Sequence, residues 1–423
     1  IYTMCNLAVD QNQLTMETMK RVATRHGLVC LLHEKPYAGV NGSGKHNNWS
    51  IGTDTGENLL DPGDTPNENL QFLLVLSCIM KAVDTHADLL RQSASCVGNE
   101  HRLGGQEAPP AIISIFLGDQ LESVVDQIIS NAESVKLLAS GKLDSGVSTV
   151  PVLNKDATDR NRTTPFAFTG NKFEFRMVGS SDSIADANTT LNAIVAEALC
   201  EAADQLEQAG DFNAACTKLI HDNMAQHQRI IFNGDGYSDE WVAEAARRGL
   251  PNLASLVAAV PALTTEKAVK LFTKFGIYTQ SELEARADIM YETYVKTIKI
   301  EANTMIHMAA KHYIPTVIGY TTRLAQSITA VASACPEAEL SVQRGLLKDV
   351  SARLAEASAA LEQLKPLMDR VDAIQDVKEM AIAYRTAVVP AMDALRYPID
   401  QLELMVDKSI WPVPTYGDLM FEV

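Results

Sequence analysis

The chain's first stretch with chemical potential is Gly39-Val40-Asn41-Gly42-Ser43-Gly44-Lys45-His46-Asn47-Asn48-Trp49-Ser50, which sets an imidazole beside a run of glycine backbone amides. Gly39, Gly44 and Lys45 have the spacing of a phosphate-binding loop, G-x-x-x-x-G-K-[ST], but His46 stands where that loop needs a hydroxyl. Such a loop also hands its chain directly to a helix. Asn47 to Gly52 is rich in Asn and Gly and lacks the i, i+3, i+4 apolar pattern, so the loop is expected to lead into a strand. On a strand, His46, Asn48 and Ser50 would share one face while Asn47 and Trp49 point away. A histidine so placed can ligate a metal that itself binds phosphate.

Phe173-Glu174-Phe175-Arg176 shows the same alternation, with a carboxylate and a guanidinium on one face and two phenylalanines on the other. Those charges could form a structural ion pair or line a site. Gly98-Asn99-Glu100-His101-Arg102-Leu103-Gly104-Gly105-Gln106-Glu107-Ala108-Pro109-Pro110 holds charge between glycines and closes on two prolines. It reads either as a lid or as a solvated loop. Arg160-Asn161-Arg162-Thr163-Thr164 adds a short basic element.

The elements positioning these groups are legible in outline. Asp10 to His26 has helical apolar spacing with Gly27 as its end, and Leu28–Leu32 reads as a buried strand before Pro36. Asn69 to Leu90 resumes helical periodicity after the turn cluster Asp61–Asn67. From about Ile184 the chain becomes alanine-rich helix. Thr279-x-x-Glu282 is a capping box opening a helix through roughly His312, and Leu347, Val350, Leu354, Ala357, Leu361, Leu364, Met368 and Val371 form a heptad seam. Glu379 to Asp407 is a further helical stretch with kinks expected at Pro390 and Pro398. Together these predict an antiparallel helical bundle capped by Trp411-Pro412-Val413-Pro414. His221, His227, His307 and His312 lack partners at a metal-ligand spacing and read as packing or surface residues.

The 423 residues, 46% of them hydrophobic, allow two or three domains with sizeable cores. A formal charge of -17 repels nucleic acid and anionic membranes, so anionic substrates must meet local Arg, Lys or metal. Seven widely spaced cysteines without a C-x-x-C pair fit a reducing cytoplasm, and no apolar run is long enough to span a membrane.

Asn41-Gly42-Ser43-Gly44-x-His46 with Ser50 resembles the signature loop of glutamine synthetase. The wording from Leu32 to Ser50, with Asp10-Gln11-Asn12-Gln13-Leu14-Thr15-Met16-Glu17, resembles the large type III branch. This resemblance implies an α+β fold: a guanidino-kinase-like antiparallel-sheet catalytic domain, represented here by its C-terminal part over residues 1–230, and a helical C-terminal region over 231–423. The family's N-terminal β-grasp domain and acidic metal-binding strands would lie before Ile1. The implied activity is ATP-dependent ligation of ammonia to L-glutamate through γ-glutamyl phosphate, with Mg²⁺ or Mn²⁺. His46 and Glu174 match metal ligands; Asn41, Gly42, Arg102 and Arg176 match substrate-binding positions; Ser50, Arg162 and Lys172 match the ATP side; and Glu107 and Arg162 match catalytic groups. Glu107 would close a flap over the acyl-phosphate, although its spacing from Arg102 is one residue shorter than in the type I pattern. A family arginine five residues beyond Arg162 is replaced by Ala167, with Lys172 as a partial substitute. The resemblance also implies a cytoplasmic dodecamer of two hexameric rings with shared active sites. A non-catalytic or regulatory subunit, a γ-glutamyl-amine ligase, and guanidino-kinase chemistry are the alternative readings.

Overall fold

Helix α1 (Cys5–Arg25) starts ahead of Asp10 and ends where glycine permits. Gly27 has φ 72°, its N–H donates to the Thr24 carbonyl and the Leu28 N–H to the Ala23 carbonyl, closing the helix with the paired bonds of a Schellman turn. The computed structural model describes residues 3–37, 39–105, 108–131, 142–143, 153–154, 163–415 and 417–418. Leu28–Leu32, predicted as a buried strand, joins no strand ladder, and Leu28, Val29 and Leu31 are exposed. No described strand runs alongside it, so its backbone has no ladder to join.

Next in chain order come β1 (Gly44–Trp49), α2 (Leu70–Thr85), α3 (Ala87–Gln92), α4 (Asn99–Arg102), β2 (Ile115–Phe116), α5 (Asp119–Ile129), β3 (Lys142–Leu143), β4 (Leu153–Asn154), β5 (Phe166–Phe168) and β6 (Phe173–Gly179). β1, β6, β5 and β2 form one sheet in that order, antiparallel except where β2 joins β5 in parallel, and β3 pairs with β4 separately. The sheet's inner face is aromatic. Phe166 stacks on Phe173 with centroids 4.4 Å apart, and Phe168 meets both Phe173 and Phe72 of α2. α2 packs in turn against α6 (Ala185–Glu207) and α7 (Phe212–His227). Asn69 caps α2 by accepting the Phe72 N–H at 3.0 Å. The single helix predicted from Asn69 to Leu90 is broken at His86, whose ring is buried and bonded to Glu197 on α6 at 2.9 Å.

α8 (Asp239–Arg247), α9 (Leu256–Ala259) and α10 (Glu266–Lys274) lead to α11 (Gln280–Met308). The predicted capping box forms: the Thr279 N–H donates to Glu282 at 2.8 Å and the Glu282 N–H to the Thr279 hydroxyl at 3.3 Å. The chain divides into two compact units, residues 1–284 and 285–423, so the boundary expected at 230/231 falls inside the first.

In the second unit, α11 passes through a π-turn at Ala309–Tyr313 into α12 (Ile314–Ala334) instead of stopping near His312. α13 (Ser341–Asp372) follows, then α14 (Val377–Ala383), a second π-turn at Tyr384–Val388, and α15 (Val389–Met405). Both π-turns precede a proline, Pro315 and Pro390, whose missing N–H breaks the regular ladder there. Pro398, by contrast, sits inside an uninterrupted α15. Val350, Ala357, Leu361, Leu364, Met368 and Val371 are buried along the predicted seam, and α13 packs against α12 and α15. Trp411 is buried against Tyr313, with ring centroids 5.1 Å apart. Among the described residues, no helix is long and apolar enough to cross a membrane.

Candidate functional site

Pairing of β1 with β6 builds the site. Trp49 stands opposite Phe173 and Asn47 opposite Phe175, while Asn48 stands opposite Glu174. On the inner side Asn47 donates to Asn188 at 3.2 Å and Trp49 to Asn192 at 2.8 Å, tying β1 to α6. The other side keeps His46 and Glu174 partly open, as the alternation predicts. His46 Nδ1 lies 2.9 Å from Glu174 Oε1, and Arg176 Nε donates to Glu174 Oε2 at 2.9 Å. The His46 hydrogen bond, helped by the Arg176 charge and opposed by burial, holds the Glu174 carboxyl down at about 2. Glu174 is thus an ion-pair partner of Arg176 and also a presented carboxylate.

This donor set fits a divalent cation. Two ligands at right angles on an ion about 2.1 Å away lie about 3 Å apart, close to the separation seen here. Glu174 is held ionised, and its second oxygen is oriented by a buried guanidinium, the kind of outer support that metal-ligating carboxylates have.

Arg102 approaches from behind β6. Its guanidinium is buried, with Nη2 donating to the Arg176 carbonyl at 3.0 Å and Nη1 to Asn99 Oδ1 at 3.1 Å and the Met177 carbonyl at 3.3 Å. Burial lowers its pKa, and Glu34 opposes that. Gly44 lies against this group so closely that a Cβ there would overlap the guanidinium. Lys45, the residue that imitates a phosphate-binding loop, instead donates to the carbonyls of Ser180 at 2.6 Å, Gly179 at 3.4 Å and Asp182. With Gly44–Trp49 a strand and this ammonium committed to the turn after β6, the phosphate-loop reading is excluded.

Asn41 and Gly42 sit in the loop before β1, at the Arg102 end of the ladder. Ser50 and Lys172 adjoin the Trp49–Phe173 pair at the opposite end, Ser50 exposed and Lys172 half-buried. Ala167 is fully buried in β5 opposite Glu174. Glu107 and Arg162 lie outside the described residues. The four helix histidines have other contacts. His227 is buried and bonded to Asp84 at 2.7 Å, His221 contacts Asp222 at 3.2 Å, and His307 packs edge-on against His312. Sequence reasoning passed over Asn99, whose amide donates to the Met177 and Ala94 carbonyls at 2.7 Å, and Glu34, which is 2% exposed. Neither has a local signal, since the contacts that tie Asn99 to Met177 and Glu34 to Ser181 join positions far apart in sequence.

Residues 2–96 match the glutamine synthetase catalytic domain family, and residues 215–332 match the glutamine synthetase C-terminal domain family. Along all of its length the chain is 43% identical to the type-3 glutamine synthetase of Dictyostelium discoideum, covering 58% of that protein. It is 40% identical to the glutamine synthetases of Butyrivibrio fibrisolvens and Bacteroides fragilis, again along its whole length, covering 60% and 59% of them. It therefore spans about three fifths of the relatives it matches. Two domain matches and this end-to-end similarity mean that the chain belongs to the glutamine synthetase family.

Proposed function

We propose that the protein is a glutamate–ammonia ligase that uses ATP to convert L-glutamate and ammonium into L-glutamine, ADP and phosphate through γ-glutamyl phosphate. The observation that supports this best is the order of groups along the β1–β6 ladder, which is about 20 Å long. The glycine-rich loop and Arg102 stand at one end, His46, Glu174 and Arg176 in the middle, and Ser50 and Lys172 at the other. That order matches a reaction joining a carboxylate to a nucleotide phosphate across a cation.

In this reading His46 and Glu174 hold Mg²⁺ or Mn²⁺, which neutralises phosphate charge during transfer. Arg176 and Arg102 hold the two ends of glutamate beside Asn41 and Gly42. Arg102 does so by exchanging bonds to the β6 carbonyls for the substrate carboxylate, a charge-assisted partner. Ser50, Lys172 and Arg162 face ATP, with Arg162 also steadying the phosphoryl group in flight. Glu107 shields the acyl-phosphate from water and helps receive ammonium. The same reading takes the working form as a cytoplasmic dodecamer of two hexameric rings with shared active sites.

The test is simultaneous measurement of glutamine and phosphate. Equal yields that require ATP, glutamate, ammonium and a divalent cation support the proposal. Phosphate release without glutamine, or preference for an organic amine, would replace it with an amine-ligase reading. Absence of turnover would favour a non-catalytic subunit.

A further inference from the structure

Glu34 contacts three segments that carry the site. Its backbone carbonyl accepts the Ser43 N–H at 2.7 Å, seating the glycine-rich loop just before β1. Its side-chain Oε1 accepts both the Ser181 N–H at 2.8 Å and the Ser181 hydroxyl at 2.6 Å, fixing the chain that leaves β6. Its other oxygen lies against Gly98, the residue ahead of α4 and Arg102, and its carboxylate is also packed against Gly179 so closely that a Cβ on either glycine would overlap it. The glutamate is 2% exposed. Asp182 and Cys96 surround it, with donor atoms all within 4.8 Å of one another, and Cys96 is hydrogen-bonded to Asp182. With Lys45 donating to the neighbouring carbonyls, this cluster has the partners of an internal knot.

The knot sits where β1 and β6 change register. Lys45 stands opposite Val178 but Asn47 opposite Phe175, so β6 advances by one residue more than β1 between those pairs. His46 lies inside this irregularity. A strand slip of one residue would move a ligand by about 3.4 Å, whereas cation sites tolerate about 0.2 Å. We propose that Glu34 is a positioning residue that locks the glycine-rich loop to the end of β6 and thereby sets the separation of His46 and Glu174. The inference rests on the reading of that pair as a divalent-cation site.

The test is Mn²⁺ binding, measured by the paramagnetic signal of the free ion, alongside thermal melting and far-ultraviolet circular dichroism. Glu34→Ala is expected to weaken Mn²⁺ binding by about tenfold or more, the range seen when support behind a ligand is removed. Glu34→Gln keeps an oxygen for Ser181 and is expected to restore most of the affinity. Glu34→Ala that stays folded and binds within twofold of the parent overturns the proposal, as does a lowered melting temperature with unchanged affinity. If Glu34→Ala does not fold, Ser181→Ala decides: weaker binding supports the lock, and parental binding overturns it. A parent that binds no Mn²⁺ removes the cation-site reading and this inference together. A parent that binds while Glu34→Ala is unaffected removes only the inference.

Discussion

His46 Nδ1 and Glu174 Oε1 stand 2.9 Å apart although 128 positions separate them in the chain. The expected consequence is a shared divalent ion. Outer support behind a ligand is worth about 10–100-fold in affinity, so loss of a ligand itself, in His46→Ala or Glu174→Ala, should exceed about 100-fold. A metal-soaked structure with the ion bound to one of the two residues alone would sink the shared-ion assignment.

Arg176→Lys should raise the glutamate KM by about tenfold, because an ammonium cannot reproduce the planar fork that meets a carboxylate and also braces Glu174. Arg102→Lys should raise it too, and in addition lower the melting temperature, since the present guanidinium holds two β6 carbonyls. Saturation curves for glutamate, compared with thermal melts, separate the two effects. Parental glutamate saturation in both variants would end the substrate-binding assignment.

Glu107→Ala should leave ATP affinity near the parent's while glutamine formation falls and water consumes the activated ester. The ratio of glutamine to phosphate is the deciding quantity. A ratio near one with normal turnover would make Glu107 an ordinary loop residue.

The depressed Glu174 carboxyl has a defined effect on acid stability. Its proton affinity is lower in the folded state, about 2 against 4.5, so the unfolded chain binds the proton more readily and the ionised group adds stability above about pH 4.5. That contribution is lost as pH falls from 4.5 through about 2. Urea midpoints measured across this window without metal should fall less steeply in Glu174→Gln than in the parent. Parallel slopes would mean that the group carries no such linkage.

Two stability predictions address the helices. Thr279→Ala removes one half of the reciprocal cap and should cost about 1 kcal/mol. Leu364 is fully buried, so Leu364→Ala should cost roughly 2–5 kcal/mol, and Leu354→Ala, at a partly exposed seam position, should cost less. Equal urea midpoints for the two leucine variants would contradict the burial pattern.

Several features of this protein were set by local sequence. The glycine-to-histidine run lacks helical spacing and enters a strand, the alternation of Phe173 to Arg176 sets Glu174 apart from its phenylalanines, and Thr279 with Glu282 caps the helix they open. Each depends on a period of two, or on a contact three residues away, so one segment contains the information. Tertiary structure decided the rest. Leu28–Leu32 has strand composition but no neighbouring strand among the described residues, and the helix from Asn69 breaks at His86 where a buried ring reaches Glu197. Arg102 turned its donors toward β6, and Glu34 became the meeting point of three segments, because the β1–β6 register brings Ser43 to its backbone carbonyl and Gly98 and Ser181 to its carboxylate. Register and burial depend on which distant surfaces meet, and side-chain periodicity within a segment cannot encode that choice.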